Sequence, residues 1–250
     1  MDSTILIHYI LPFIGALGIS IILTILIRAI AIKLNIIDKP DNGRKIHKLP
    51  IPLLGGFAIY LTTLIFLVIY QDIILDGRIK ASYLIAIALG GLFLMIGGYL
   101  DDKYALKPIY QIIWPLLAVI SVLLSGMEIS YITNPLGGVI NISSPIISLI
   151  IIFFWLLGMI YTTKFLDGLD GLVSGVTVIG SIILFCVSLF WAVDQSGTSV
   201  LYLILAGSTL GFLLFNFYPA RIFLGEGGST FLGFMLGVLA IISGAKIATA

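Results

Sequence analysis

Charge is scarce in this sequence of 250 residues. Only 10% of the residues are Asp, Glu, Lys or Arg, against about 25% in an average soluble domain, while 60% are hydrophobic and the mean hydropathy is +1.21. Water cannot be the solvent for most of the surface of such a chain, which excludes an ordinary soluble enzyme. The 13 basic and 12 acidic residues leave a net charge of +1, so the charge balance predicts no nucleic-acid partner.

Cysteine and histidine are also nearly absent. The single cysteine, Cys186, excludes an intramolecular disulfide and argues against a thiolate metal site. The two histidines are far apart in the sequence, at His8 and His47. The N-terminus has no basic region and no small-residue cleavage site, so we expect the first apolar segment to be retained as a helix.

Long apolar runs dominate the rest of the chain. A hydrocarbon core of about 30 Å requires about 20 apolar residues in a helix, and continuous rather than alternating runs argue against a β-barrel. The fold class is therefore predicted to be all-α, a polytopic transmembrane protein of about eight spans. The predicted spans are 5–32, 53–71, 81–100, 109–126, 145–163, 172–193, 200–216 and 231–249. Turn residues 134–138 between short β-prone stretches favour a small outer hairpin.

Basic residues concentrate in alternate loops of this topology. Loops 33–52, 101–108, 164–171 and 217–230 contain most of the Lys and Arg residues, whereas the other loops contain only Arg78 and Lys80. The positive-inside rule makes the first set cytoplasmic and the N-terminus external. Every acidic motif then lies at the cytoplasmic membrane face.

The first acidic motif is Asp101-Asp102, at the end of the third predicted span. A carboxylate near hydrocarbon costs about 2.5–3.5 kcal/mol on insertion scales, so a compensating partner is expected. A divalent cation is one candidate. Neutralisation by Lys103 and Lys107 is the alternative.

The second motif is Asp167-Gly168-Leu169-Asp170-Gly171. The i, i+3 spacing of the two aspartates would point both carboxylates the same way on a helical turn. Helix capping by Asp170 is the alternative, because N-cap positions favour Asp. That alternative leaves Asp167 without a role.

The third motif is Gly225-Glu226-Gly227-Gly228-Ser229, before the last predicted span. Backbone N–H groups at a helix N-terminus favour a phosphate, and Glu226 would repel that phosphate unless a cation lay between them. Hard oxygen ligands without thiolate or imidazole predict Mg²⁺, with Mn²⁺ as the alternative. A tight turn without ligand is the simpler interpretation.

Basic residues of the first cytoplasmic loop, including Arg44, His47 and Lys48, predict binding of anionic lipid headgroups or a nucleotide diphosphate. Charge that only fixes topology is the alternative.

The middle of each predicted span is almost free of charge, which argues against a transporter. Phosphate chemistry with a metal is therefore favoured over ion passage.

These motifs together resemble the polyprenyl-phosphate N-acetylhexosamine-1-phosphate transferases, which include the phospho-N-acetylmuramoyl-pentapeptide transferases. The first-loop motif is closer to the undecaprenyl-phosphate N-acetylglucosamine-1-phosphate transferases. The matching stretches are Arg44-Lys45-x-His47 with Pro52–Gly56, Asp101-Asp102, Asp167–Gly171 and Asn216-x-x-Pro219-Ala220-x-x-Phe223-x-Gly225-x-x-Gly228-Ser229. The resemblance implies transfer of a sugar 1-phosphate from a UDP-N-acetylhexosamine to undecaprenyl phosphate, with release of UMP. It also implies Mg²⁺, membrane lipid as a partner and a site on the cytoplasmic side of the bacterial plasma membrane.

The motifs and the resemblance together assign roles to individual residues. Asp101, Asp102, Asp167 and Asp170 are expected to be catalytic, with Asp102 and Glu226 as metal ligands. The substrate-binding residues are expected to be Arg44, His47, Lys48, Lys107, Lys164, Asn216, Gly225, Gly228 and Ser229. The oligomeric state is open between a monomer and a homodimer.

Three features depart from the family pattern. Lys164 stands where relatives usually have Asn, and Glu226 stands where they usually have Asp. The chain, treated as one membrane domain over residues 1–250, also ends before the C-terminal spans and loop of most relatives. These departures favour one alternative, a catalytically inactive scaffold or lipid-phosphate-binding membrane protein.

Overall fold

A computed structural model describes residues 6–40, 49–76, 79–133, 138–190 and 196–244. Helices make up most of these residues, as predicted. A π-helical turn at Leu6–Ile10 leads into the first helix, and ten α-helices follow in the described ranges. They are α1 (Leu11–Lys33), α2 (Gly55–Ile69), α3 (Gln71–Leu75), α4 (Ala81–Tyr104), α5 (Pro108–Gln111), α6 (Ile113–Leu124), α7 (Pro145–Leu166), α8 (Leu172–Phe190), α9 (Ser196–Asn216) and α10 (Gly225–Ile242).

Six of these helices are long and apolar enough to cross a membrane within the described ranges, namely α1 with its preceding turn, α4, α7, α8, α9 and α10. Two shorter apolar segments, α2 and the stretch Pro108–Leu124, coincide with two further predicted spans. Helix length and composition therefore confirm the predicted polytopic membrane class.

The centre of the bundle is formed by α9 and α10. Their apolar stretches are 78% and 83% buried, whereas that of α7 is only 28% buried. Helix α9 packs against α1, α8 and α2, and α10 packs against α7, α4 and α2. The outer helices expose apolar side chains such as Ile14 and Phe154, as expected of surfaces that face lipid.

The first turn of α10 lies between α4 and α2 at glycine contacts. A Cβ atom on Gly98 would lie 2.1 Å from the backbone nitrogen of Gly227, and one on Gly56 would lie 2.2 Å from the Cα of Gly228. Small residues allow helices in membranes to approach this closely. The contacts bring three of the predicted motifs together, although they are far apart in the sequence.

Two predicted boundaries and one prediction of local conformation were wrong. Helix α4 continues to Tyr104, so Asp101 and Asp102 lie in its last turns, and α10 begins at Gly225 instead of residue 231. Hydropathy marks only the apolar part of a helix, and packing of α10 outweighs the low helix propensity of its glycines. Residues 167–171 form a turn between α7 and α8, with Gly171 at a φ of +72°, so the helical-turn argument for Asp167 and Asp170 was wrong.

Two short antiparallel strand pairs complete the described structure. β1 (Ile37–Asp38) pairs with β2 (Ile51–Pro52), which the sequence did not predict, and β3 (Tyr131–Thr133) pairs with β4 (Val139–Asn141). The backbone N–H of Phe223 donates to the Pro52 carbonyl at 2.9 Å. The first pair therefore anchors both ends of the first loop beside the segment that leads into α10.

Candidate active site

The carboxylate of Asp102 lies at the N-terminus of α10. Its Oδ1 accepts a hydrogen bond from the Glu226 N–H at 3.2 Å. Gly225 has a φ of +73°, and a Cβ at that position would lie 2.4 Å from the other Asp102 oxygen. A negative charge is stabilised at a helix N-terminus by unpaired N–H groups and the helix dipole. Asp102, from the neighbouring helix α4, therefore caps the N-terminus of α10. The sequence predicted a phosphate at this N-terminus.

Glu226 forms an ion pair with Lys164, which lies in the last turn of α7. The Lys164 Nζ and Glu226 Oε1 atoms are 2.5 Å apart, and the two side chains are only 20% and 22% exposed. The ammonium also lies over the Tyr161 ring, 5.9 Å from its centroid. Partial burial limits screening by salt, so this pair is a larger local electrostatic feature than a surface ion pair.

Asp101 holds the turn that follows α4. Its Oδ1 accepts hydrogen bonds from the Leu106 N–H and from the Gln111 side-chain amide, both at 2.9 Å. Ala105 adopts a left-handed conformation with a φ of 50°, and the bonds to Asp101 stabilise the turn around it. The two adjacent aspartates thus have different neighbours, because Asp101 faces its own turn and Asp102 faces α10. The ammonium of Lys103 lies 3.1 Å from the Tyr99 hydroxyl.

Asp167 ends α7 and lies near both Ser229 and Glu226. The pKa of its carboxyl is raised from 3.8 to about 7, because burial and, to a smaller extent, the charge of Glu226 raise it by more than a hydrogen bond from Ser229 lowers it. The residue as a whole is exposed, so water reaches part of the side chain and screens the effect. A carboxyl with a pKa in this range can take up or release a proton near neutral pH.

Asp170 and Asn216 connect the turn 167–171 to the segment between α9 and α10. The Asp170 carboxylate accepts the Ala220 N–H at 2.9 Å. The buried Asn216 side chain accepts bonds from the Gly171 N–H and the Ser174 hydroxyl, and it donates to the Ile222 carbonyl. The bond of Asp170 thus crosses to another segment, contrary to the alternative of a local helix cap.

The other predicted site residues differ in their exposure to solvent. Gly225, Gly228 and Ser229 are buried in the first turn of α10, whereas Lys107 is exposed at the start of α5. Arg44, His47 and Lys48 lie outside the described residues. The roles assigned to these residues in substrate binding stay predictions.

Sequence reasoning missed two polar residues. Gln111 contacts both Asp101 and Lys164, and Arg28 donates from its Nε to the Arg221 carbonyl at 3.1 Å. Arg28 carried a usable signal, because it is a cation near the end of an otherwise apolar segment. Gln111 carried a weaker one, as a polar residue among apolar neighbours.

The donor chemistry of the site fits a hard divalent cation that also binds substrate. Within the described ranges, no three His, Cys, Asp or Glu side chains converge as a preformed metal site. Asp102 and Glu226 nevertheless meet at one helix terminus. Magnesium usually takes one or two carboxylates and completes its shell with phosphate oxygens and water, so these two carboxylates are compatible with it.

A family comparison decides the relationship of this chain to known proteins. The model of glycosyl transferase family 4 matches residues 84–244, which include most of α4, all of α7 and α10, and the turn 167–171. The chain belongs to glycosyl transferase family 4. The match confirms the family that the motifs indicated.

Named relatives of this family 4 chain agree with that assignment. It is 32% identical to the probable undecaprenyl-phosphate N-acetylglucosaminyl 1-phosphate transferase of Bacillus subtilis, over 95% of the chain and 63% of the relative. It is 30% identical to the decaprenyl-phosphate N-acetylglucosaminephosphotransferase of Mycolicibacterium smegmatis, over 84% and 54%. It is 32% identical to the phospho-N-acetylmuramoyl-pentapeptide-transferase of Listeria monocytogenes, over 81% and 64%. The chain therefore spans between about half and two thirds of the length of these curated relatives.

Proposed function

We propose that this family 4 chain transfers N-acetylglucosamine 1-phosphate, or another N-acetylhexosamine 1-phosphate, from a UDP-sugar to undecaprenyl phosphate and releases UMP. The observation that carries the proposal is the convergence of Asp102, Glu226, Lys164 and Asp167 around the N-terminus of α10. The names of the relatives support the polyprenyl phosphate acceptor and the sugar phosphate group. The reaction would be a first membrane step of cell-envelope glycan synthesis.

In the proposed reaction, an oxygen of the acceptor phosphate attacks the phosphorus that carries the sugar. A new P–O bond forms, the bond to the UMP oxygen breaks, and the product is a lipid-linked sugar diphosphate. Catalysis of such a transfer depends mostly on positioning and on neutralisation of charge. The second pKa of a phosphate monoester is about 6, so the acceptor needs little help from a base.

The residues of the chain would divide these tasks. Asp102 and Glu226 would hold Mg²⁺, which when bound supplies positive charge to the diphosphate. Lys164 would add a fixed cation, and Asp167 would take a remaining proton from the acceptor phosphate. Asp101, Asp170 and Asn216 would keep the surrounding turns in place.

We further propose eight membrane spans, an external N-terminus, an external β3–β4 hairpin and a cytoplasmic site in the bacterial plasma membrane. The two short apolar segments α2 and Pro108–Leu124 would supply the seventh and eighth spans. The distribution of Lys and Arg among the loops supports the orientation. A UDP-sugar would then arrive from the cytosol while the lipid tail of the acceptor stays in the bilayer.

A reconstituted assay tests this function directly. The purified chain in lipid nanodiscs would be incubated with UDP-N-acetylglucosamine, undecaprenyl phosphate and Mg²⁺, and UMP and the lipid product would be measured by mass spectrometry. Release of UMP that requires both the acceptor and the metal is expected. No release with any UDP-N-acetylhexosamine from a folded preparation would contradict the proposal.

A scaffold or lipid-phosphate-binding protein is the second candidate function. The observation that favours it is the internal ion pair of Glu226 with Lys164, since that carboxylate already has a cation as its partner. Saturable binding of undecaprenyl phosphate without turnover would support this candidate. Metal-dependent turnover that Asp102→Asn abolishes would exclude it.

A further inference from the structure

The side chain of Gln111 joins two parts of the site that no motif connects. Its Nε2 donates to Asp101 Oδ1 at 2.9 Å and to the Leu106 carbonyl at 3.0 Å, and its Oε1 accepts from Lys164 Nζ at 3.1 Å. These bonds extend from the end of α4, through the following turn, to the last turn of α7. Lys164 continues the chain of contacts to Glu226.

The partners of Gln111 require a side chain that offers both a donor and an acceptor. An ammonium group only donates hydrogen bonds, and a carboxylate only accepts them. A side chain that bridges the two must therefore present an acceptor to Lys164 and a donor to Asp101. Glutamine does both at opposite sides of one planar group, whereas Glu lacks the donor, Lys lacks the acceptor, and Met lacks the donor and offers only a weak sulfur acceptor.

The position of Gln111 is beside the proposed reacting groups. It lines a small, partly open cleft together with Asp101, Glu226 and Thr230, and the Trp114 ring forms part of the apolar wall. A lysine side chain has several rotatable bonds and many accessible conformations. The bonds from Gln111 and Glu226 hold the Lys164 ammonium beside two residues that line this cleft.

We infer that Gln111 is a positioning residue that holds the Lys164 ammonium against Glu226 and ties it to the turn that contains Asp101. Its contribution to catalysis rests on the proposed transfer function, because Lys164 is the cation expected to face the diphosphate. The restraint on Lys164 follows from the contacts alone. Two measurements separate these parts.

The first measurement is the rate of lysine acetylation, followed by mass spectrometry on the full chain in nanodiscs. The exposed Lys107 of the neighbouring turn is the internal control. Lys164 is expected to react more slowly than Lys107, and Gln111→Met is expected to accelerate acetylation of Lys164 roughly tenfold, since a hydrogen bond to a charged group is lost. Gln111→Glu keeps an acceptor for the ammonium and should leave Lys164 slow. An unchanged rate at Lys164 in Gln111→Met would overturn the inference.

The second measurement is the turnover of UMP release. Gln111→Met and Gln111→Glu should each lower kcat roughly tenfold or more, and Gln111→His should recover part of the loss because a neutral imidazole keeps one donor and one acceptor. When Lys164→Met is already present, Gln111→Met should change kcat less than about twofold, because Gln111 acts through Lys164. Losses that multiply in the double variant would contradict a positioning role.

The outcomes distinguish this inference from the proposed function. If the wild-type chain is inactive but Gln111→Met still accelerates acetylation of Lys164, the transferase proposal is rejected. The inference that Gln111 restrains Lys164 is then retained. An active chain in which Gln111→Met changes neither acetylation nor kcat would keep the transferase and reject the role of Gln111.

Discussion

Lys164 and Glu226, 62 residues apart in sequence, form an ion pair with a nitrogen–oxygen distance of 2.5 Å at the base of α10. They are the two motif positions at which the resemblance described in the sequence analysis leads us to expect Asn and Asp. In the structure, the side chains at these two positions contact each other. The opposite charges of Lys164 and Glu226 compensate each other in this contact.

Removal of either partner should leave a partly buried charge unpaired. We expect Lys164→Met and Glu226→Gln each to destabilise the chain by about 1–3 kcal/mol, below the 3–5 kcal/mol of a fully buried pair because both groups retain some exposure. The apparent Tm should fall by roughly 3–10 °C. Thermal unfolding in detergent tests this, with Lys107→Met as an exposed control. Additive effects in the double variant would show that the two side chains do not interact.

The adjacent aspartates should respond differently to substitution. Asp102→Asn should lower kcat for UMP release by about 10²–10³, because the charge at the proposed metal and diphosphate site is lost. Asp101→Asn should cost roughly tenfold, since the amide oxygen can still accept the Leu106 N–H. Initial rates over a range of Mg²⁺ concentrations measure both effects. A larger loss for Asp101→Asn would reverse the assigned roles.

The contact between α4 and α10 should not tolerate a methyl group. Gly98→Ala places a Cβ 2.1 Å from the Gly227 nitrogen, so we expect destabilisation by about 1–3 kcal/mol or more and loss of activity. Gly158→Ala is the matched control, because no neighbouring atom lies within 4 Å of its added Cβ. That control should be neutral or more stable by about 0.5–1 kcal/mol, through helix propensity. Equal Tm values for the two variants would refute the packing argument.

Asp167 should make stability depend on pH in a defined direction. Its pKa is raised from 3.8 to about 7, so the folded state binds a proton more tightly than the unfolded state does. This contribution is fully present below about pH 4 and is lost as the pH rises through 7. The Tm of Asp167→Asn relative to wild type should therefore increase between pH 5 and pH 8, measured in EDTA. A constant difference between the two proteins would show that the pKa is not raised.

The sequence predicted the helices well, because the hydropathy of a segment depends only on residues that are neighbours in the sequence. It also singled out Asp102, Asp167 and Glu226 as candidates, since short motifs show residue types directly, and their roles stay predictions. It could not show that Asp102 meets the N–H of Glu226, which lies 124 positions away. That contact depends on glycine packing between α4 and α10, and hydropathy does not report which helix faces meet.

Because the sequence does not show which segments meet, it also did not predict the contacts of several other residues. Substrate binding by Asn216 stays a prediction, and the structure shows that its amide forms three bonds that hold the turn 167–171 against the segment before α10. Gln111 belongs to no motif and gains its significance only from two distant partners. Strands β1 and β2 have two residues each, too few to produce a periodic pattern.

The β1–β2 pair has a thermodynamic consequence for the first loop. The ladder joins the strand before the loop to the strand after it, and the N–H of Phe223 attaches that second strand, through Pro52, to the segment before α10. Closure of the loop is therefore part of folding, and its entropic cost does not recur when a ligand binds. The strand pair thus acts as a tether that holds both ends of the loop near α10.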